Sequence, residues 1–356
     1  MREIQFRATF SQEKFFMKAA YVRVPFQVEL RDIPIPEIGP DEVLVKVSAC
    51  GICGTDLHFG RTSAKEEALP LGHEFCGVVA EVGANVTRFT PGDEVIVENH
   101  TSLGTSTACK NGEIVYCTDL YISMNAPCMA DYIKTHHLAL HKNPGLTPVE
   151  ATLAEPLTVA LDVIEEGGIP IGSNVAIFGG GPIGLMALKL AKIKGARKMV
   201  LTQSSHSKAR IALARKLGAD QVFCPDQVNI LEALKADCPE GFDRVFITAP
   251  PRTIPDAFEI TRFGAIITYN GIDFDNGMIS FDANAFHFKR LQLRATHSIP
   301  NLRYPIAIDL LKRKVIDVND FVSHTFPLSE AGRALQIAET DKEHAIKVVV
   351  VMEEQN

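Results

Sequence analysis

Asn174-Val175-Ala176-Ile177-Phe178-Gly179-Gly180-Gly181-Pro182-Ile183-Gly184 decides how this chain folds. Its first five residues are a stretch of strand length, apolar from Val175 to Phe178. The glycines at 179, 181 and 184 then reproduce the G-x-G-x-x-G spacing found where a strand turns into a helix. Apolar positions from Leu185 to Lys194 predict that helix, and Lys198-Met199-Val200-Leu201-Thr202 predicts the next strand. A glycine triplet alone is more often a flexible loop. Between a buried strand and an amphipathic helix it completes a βαβ unit whose backbone amides and helix N-terminus hold a pyrophosphate. Gly179, Gly181, Pro182, Ile183 and Gly184 are therefore candidate dinucleotide contacts.

Downstream the alternation continues: helix Lys208 to Leu217, strand Gln221 to Phe223, helix Val228 to Ala236, strand Arg244 to Ile247, helix Pro255 to Thr261, strand Ala265 to Tyr269. That succession predicts a doubly wound α/β sheet. Upstream, Ala154-Glu155-Pro156-Leu157 opens a helix within 151–167, with proline in its first turn. Before it, short strands and turns from Lys18 to Val97 predict a β-rich domain that presents loops. Residues 1–16 form an extension in which Ile4, Phe6, Ala8 and Phe10 alternate as a strand would. A helix is predicted from Tyr304 to Arg313, and the closing run Ala345 to Val351 is expected to return to the first domain.

Within the β-rich part, strand Val43 to Val47 leads into Gly51-Ile52-Cys53-Gly54, and Gly72-His73-Glu74 answers it. A thiolate, an imidazole and a carboxylate make the mixed donor set that zinc accepts at an open site. Each residue has a plainer reading, since a lone cysteine is usually a small buried hydrophobe and a lone histidine a hydrogen-bonded core residue. The glycines at 51, 54 and 72 are expected to let separate loops converge, and that setting favours the metal.

At 356 residues, two domains are the default. A hydrophobic content of 46% with 22% charged residues is ordinary for a globular protein, and no apolar stretch is long enough to suggest a membrane span. A net charge of -7 and scattered Lys/Arg argue against nucleic acid as a partner. Eight irregularly spaced cysteines, with no secretory h-region at the start, predict reduced thiols and a cytoplasmic location.

From Met17 to Met352 the chain resembles the zinc-containing medium-chain alcohol and polyol dehydrogenases. The motifs that carry the likeness stand in the family's order: Gly51 to His58, Gly72-His73-Glu74, Pro91-Gly92-Asp93-Glu94-Val95, Glu155-Pro156-Leu157, Gly179 to Gly184 and His324-Thr325-Phe326-Pro327-Leu328. The resemblance implies a GroES-like catalytic domain over 17–156 and 303–356, with a Rossmann domain over 157–302 inserted in it. It implies that Cys53 and His73 are zinc ligands with Glu74 the neighbouring carboxylate. Glu155 takes the place where many alcohol dehydrogenases have a second cysteine, which looks like the sorbitol and threonine dehydrogenase branch. Direct and water-mediated zinc binding by Glu155 both stay open, as does a plain helix N-terminal carboxylate. Thr55 matches the hydroxyl that takes the alcohol proton, and His58 the imidazole that passes it on.

Two departures from the family pattern carry their own expectations. At the positions of the family's structural zinc, Cys109 and Cys117 remain but Leu103 and Ser106 replace the other two ligands, so one catalytic zinc per chain is expected and no structural one. At the end of the second Rossmann strand, the acid that NAD-using relatives place against the ribose is missing. Ser204, Ser205, His206, Lys208 and Arg210 follow there instead and could receive a 2′-phosphate, which favours NADP over NAD. The reading competing with it has the serines on an NAD ribose and the basic residues on a solvated face.

The resemblance thus points to an NAD(P)-dependent zinc oxidoreductase acting on a secondary alcohol of a polyol, cyclitol or sugar derivative. Such a chain would assemble as a homodimer or homotetramer through strands near Leu291 to Ala295. A zinc-free NADPH-dependent reductase on the same fold and a non-catalytic dinucleotide binder are the alternatives. Phe59, Tyr121, His297 and Arg303 are candidates for shaping the substrate pocket.

Overall fold

A computed structural model describes residues 16–62 and 67–352. The proposed strand of the N-terminal extension therefore lies outside the described residues. Six parallel strands form one sheet, in the spatial order Gln221–Phe223, Lys198–Thr202, Asn174–Phe178, Phe242–Ile247, Thr261–Tyr269 and Gln292–Ala295. In sequence terms that order is 3-2-1-4-5-6. The winding reverses between Asn174–Phe178 and Phe242–Ile247, and a crevice opens at such a reversal, beyond the carboxyl ends of the strands. Asn174–Phe178 is buried throughout, as the apolar run from Val175 to Phe178 requires of a strand covered on both faces.

The helix after the glycines spans Pro182–Ile193, three residues earlier than its apolar pattern alone predicts. Proline at its first position explains the early start: its ring presets φ, and the amide hydrogen it lacks would have no partner there anyway. The downstream helices run Lys208–Leu217, Ile230–Asp237 and Ile254–Ile260, and the strand that follows is longer than predicted, Thr261–Tyr269.

A second, seven-stranded sheet carries the N-terminal part. Its main path runs Leu140–Lys142, Glu94–Val97, Glu74–Val82, Glu42–Gly51, Lys347–Val351, Val322–Pro327, with Tyr132–His136 also on Glu42–Gly51. The late strand thus does return, lying antiparallel to Glu42–Gly51. Helix Ala154–Gly167 joins the two sheets. Its Leu157, Ala160, Leu161, Val163 and Ile164 share one core with Ala49, Ile96 and Val349 on one side and Ile177 and Phe246 on the other. Each fully buried Leu or Ile there contributes about 1.5–3 kcal/mol. The helix is a rigid spacer between the sheets, and Glu155 stands in its first turn.

Candidate metal and dinucleotide site

Strand register brings the candidate ligands together. Glu42–Gly51 and Glu74–Val82 pair antiparallel with Gly51 opposite Glu74 and Cys50 opposite Phe75. Cys53 therefore leaves one strand at the end where His73 enters the other. One donor atom each from Cys53, His73 and Glu74 lies within 4.8 Å of the others. Gly51 has a steric reason to be glycine, since a Cβ there would stand 2.2 Å from Glu74 Oε2. Gly72 has a conformational one, with φ at +89°. Gly54 has neither, contrary to the sequence reading: it is the first residue of helix Gly54–Arg61, with nothing near its would-be Cβ.

Asp56, buried in that helix, ties the two stretches together. Its Oδ2 accepts from the Cys53 amide at 2.8 Å and its Oδ1 from the Gly72 amide at 2.9 Å. Sequence reasoning assigned it no role; the trace it left is an acid three residues after Cys53, the spacing of a helix capping box. Lys347 is also buried. Its ammonium pairs with Glu74 Oε2 and donates to the Ile52 carbonyl at 2.9 Å. Glu155, likewise buried, accepts from Asn99 Nδ2 at 3.0 Å and stands outside the close trio of donors.

The electrostatics are those of a cage for a cation. Burial works against a charged His73 imidazole, yet the charge and hydrogen bond of Cys53, followed by the charges of Asp56 and Glu155, hold its pKa well above the usual value. Burial, with Glu74 nearby, raises the Glu155 carboxyl to about 7 in spite of His73 and Lys347. One sulfur, one nitrogen and one carboxylate oxygen within 4.8 Å of one another fit a divalent zinc ion.

Thr55 and His58 ride on helix Gly54–Arg61 at i and i+3, so they share a face. Thr55 Oγ1 is 3.9 Å from Cys53 Sγ. The His58 ring contacts Thr62 Oγ1 at 3.2 Å and stacks on Phe274, ring centroids 4.1 Å apart. Of the pocket candidates, Tyr121 is misplaced by the sequence reading: its phenol donates to Glu42 Oε1 at 2.7 Å, and its ring lies beside His136.

The glycine loop sits at the winding reversal. Gly179 has φ +104°, and a Cβ on Gly184 would stand 1.9 Å from the Gly179 carbonyl oxygen. Thr248, at the end of the neighbouring strand, donates to that same carbonyl at 2.9 Å. Gly181 caps helix Pro182–Ile193, and nothing lies within 4 Å of its would-be Cβ, so the backbone is open to an approaching phosphate.

The second set of cofactor candidates is only partly available. Ser204 and His206 are exposed. Ser205 donates its amide to Asp226 Oδ1 at 3.0 Å and its hydroxyl to Oδ2. Lys208 pairs with Glu343 at 2.6 Å. Arg210 is a correction to the sequence reading: its Nε donates to the Ala345 carbonyl at 2.9 Å, so its guanidinium anchors the 341–345 segment. Ser205, His206 and Lys208 do line a cleft of about 540 Å³ together with Gln227, Lys342 and His344.

The expectation of reduced thiols fails at one pair. Cys109 and Cys117 are disulfide-bonded with their Cα atoms 5.6 Å apart. The turn between helix Thr107–Lys110 and the 3-10 turn Ile114–Tyr116 closes the eight-residue separation. Asp119 lies beside them.

Comparison with known proteins bears on this arrangement directly. The family model of the alcohol dehydrogenase GroES-like domain matches residues 39–145, and that of the zinc-binding dehydrogenases matches 182–313. Sorbitol dehydrogenase of Bacillus subtilis (strain 168) is 31% identical over 345 residues, covering 94% of this chain and 97% of that one. L-threonine 3-dehydrogenase of Bacillus velezensis is 32% identical over 324 residues, covering 88% and 92%. The solved structure of a zinc-binding dehydrogenase from Sinorhizobium meliloti 1021 bound to NADP superposes with a TM-score of 0.84 at 29% identity, covering 94% of this chain and 99% of that one. The chain belongs to the zinc-containing medium-chain alcohol dehydrogenase family, in its sorbitol and threonine dehydrogenase-like branch, and is an NAD(P)-dependent oxidoreductase.

Proposed function

We propose that the chain interconverts a secondary alcohol of a polyol, cyclitol or sugar derivative with its ketone, at a single zinc held by Cys53 and His73 with Glu155 or Glu74. The observation that carries this reading is the trio Cys53, His73 and Glu74 within 4.8 Å, in a chain that also presents a glycine loop at a winding reversal. Bound zinc supplies Lewis acidity, which lowers the pKa of a substrate hydroxyl toward neutrality. Thr55 Oγ1 accepts the hydroxyl proton and His58 relays it toward solvent, so the carbinol carbon can give up its hydride. The amides around Gly181 hold the cofactor's pyrophosphate and thereby aim the nicotinamide at that carbon. Likeness to sorbitol dehydrogenases supports the substrate class.

We assign residues 17–156 and 303–356 to the catalytic domain and 157–302 to the cofactor domain, with a cytoplasmic location that cell fractionation tests. NADP is the preferred cofactor. Gln203, at the position of the missing acid, is neutral, and its Oε1 is taken up by the Gly180 amide at 3.0 Å. No carboxylate therefore repels a 2′-phosphate at that position. Two subunits would join along Gln292–Ala295, an edge strand of the parallel sheet that follows the exposed Met278 and Phe288 in sequence.

The test is zinc content per chain together with reduction of NADP and of NAD across a polyol panel. One zinc per chain and turnover of a polyol, with a higher kcat/KM for NADP, is the expected result. No zinc in folded, never-chelated protein that still turns over would favour the zinc-free reductase. Cofactor binding without turnover would favour the silent dinucleotide binder.

A further inference from the structure

The second strand of the parallel sheet, Lys198–Thr202, ends where a fold of this kind meets the ribose on the adenine side of its cofactor. Gln203 follows it and accepts from the Gly180 amide at 3.0 Å, so the turn beyond it abuts the glycine loop. That turn is short of positive charge. Ser205 gives its amide and its hydroxyl to Asp226, and Arg210 is committed to the Ala345 carbonyl. Of the basic residues between 204 and 210, Lys208 is the one fixed cation left to the cleft. A phosphate monoester carries about -1.5 to -2 charges at neutral pH, so a 2′-phosphate needs more than one cation to balance it.

The opposite wall of the same cleft supplies the rest. There Lys342 and His344 stand on the segment 340–344, which follows helix Ala331–Thr340. The segment is docked on the turn through its main chain: the Ala209 amide donates to the Glu343 carbonyl at 2.9 Å, and Arg210 Nε to that of Ala345 at 2.9 Å. Asp341 and Glu343 also line the cleft, and each holds a base. His344 Nδ1 lies 2.9 Å from Asp341 Oδ1, and Lys208 Nζ donates to Glu343 Oε1 at 2.6 Å. Lys342 is the loosest of these groups. Its ammonium reaches Glu339 Oε2 at 3.4 Å, and Arg61 already donates to both oxygens of that carboxylate. Such a contact is long for a hydrogen bond, and exposed ion pairs contribute little. A dianion between Lys208 and Lys342 replaces these weak contacts with charge-assisted ones.

We propose that Lys342, assisted by His344, completes the 2′-phosphate site opposite Lys208, so that cofactor choice is set partly by the returning C-terminal segment and not by the Rossmann turn alone. The proposal rests on the NADP preference proposed above and names the residues that produce it. Lys208 belongs to the part assigned to the cofactor domain, and Lys342 to the part assigned to the catalytic domain. A phosphate held by both lysines therefore ties the two parts together, which an unphosphorylated ribose does not do.

The experiment titrates adenosine 2′,5′-bisphosphate and 5′-AMP calorimetrically into the zinc-loaded protein and reads the ratio of their affinities, which isolates the 2′-phosphate from the rest of the cofactor. The same ratio is measured for Lys342→Met, Lys342→Arg and the double variant Lys342→Met with His344→Leu. Zinc content and thermal unfolding certify that each variant folds. We expect the wild type to favour the bisphosphate at least about 10-fold, the size of one charge-assisted contact. Lys342→Met should cut that ratio several-fold, the double variant should cut it further, and Lys342→Arg should keep most of it. A wild-type preference that survives unchanged in Lys342→Met and in the double variant would overturn the proposal and leave the NADP preference standing on Lys208 and its neighbours. A wild type that binds the two compounds equally would overturn the NADP preference itself, and the proposal with it.

Discussion

Asp56 shows how a residue that donates nothing to a metal can decide whether the metal binds. Its two oxygens fix two backbone amides nineteen residues apart, one at Cys53 and one at Gly72, beside His73. Asp56→Asn keeps the volume but turns one acceptor into a donor facing an amide. We expect zinc affinity to fall by about 10–100-fold, as for other groups that orient ligands, read by competition with a chelating dye. Cys53 and His73 could be found in the sequence because soft donors between glycines are uncommon. Asp56 and Lys347 could not be assigned, because their partners are a main-chain amide and a residue nearly three hundred positions away, neither of which leaves a local pattern. The same cage sets a pH dependence. The Glu155 carboxyl, buried and raised to about 7, keeps a proton in the folded chain that the unfolded chain releases near 4.5. Its contribution is whole below about 4.5 and is lost as pH rises through about 7. Zinc-stripped protein should therefore lose on the order of 1–3 kcal/mol between pH 5 and 8 in urea unfolding, and Glu155→Gln should flatten that slope.

At the scale of elements, the turn from Phe178 into helix Pro182–Ile193 depends on one close approach. A methyl group at position 184 would overlap the Gly179 carbonyl, which Thr248 already holds in place. Gly184→Ala should weaken NAD(P)H binding by 10-fold or more, of the order of 1.4 kcal/mol, measured by fluorescence titration, with zinc content intact. This element was readable from the sequence down to its glycines, because spacing and flanking apolar runs are local features. Its start was misplaced because apolar periodicity does not register a proline at the first helical position. The segment from Thr107 to Tyr116 shows the opposite case. Two cysteines eight residues apart look unpaired in sequence, and only the tight turn between two short helices brings them together. Six free cysteines remain, so denatured, unreduced protein should react at six thiols per chain with a thiol-specific dye, and at eight after reduction.

For the whole molecule, strict alternation of strand and helix made the parallel sheet legible, down to the place where its winding reverses. The contact across the cleft was not legible. His58, on a helix of the β-rich part, stacks on Phe274, in the loop after Thr261–Tyr269, and no sequence pattern links positions so far apart. If that stack helps hold the two parts closed over substrate, Phe274→Ala should raise KM for both alcohol and cofactor by several-fold while zinc content stays at one per chain, read by steady-state kinetics and elemental analysis.

The strand Lys347–Val351 lies beside the strand that leads to Cys53, and Lys347 is the buried cation that steadies Glu74. A growing polypeptide emerges from the ribosome in sequence order, at about 5–20 residues per second. The parallel sheet, lying wholly between these two stretches, can assemble while synthesis continues. The pocket around Cys53 has to wait through roughly a quarter of a minute or more of translation for its last side, and during that interval its thiol and imidazole are open to whatever metal ions the cell leaves free.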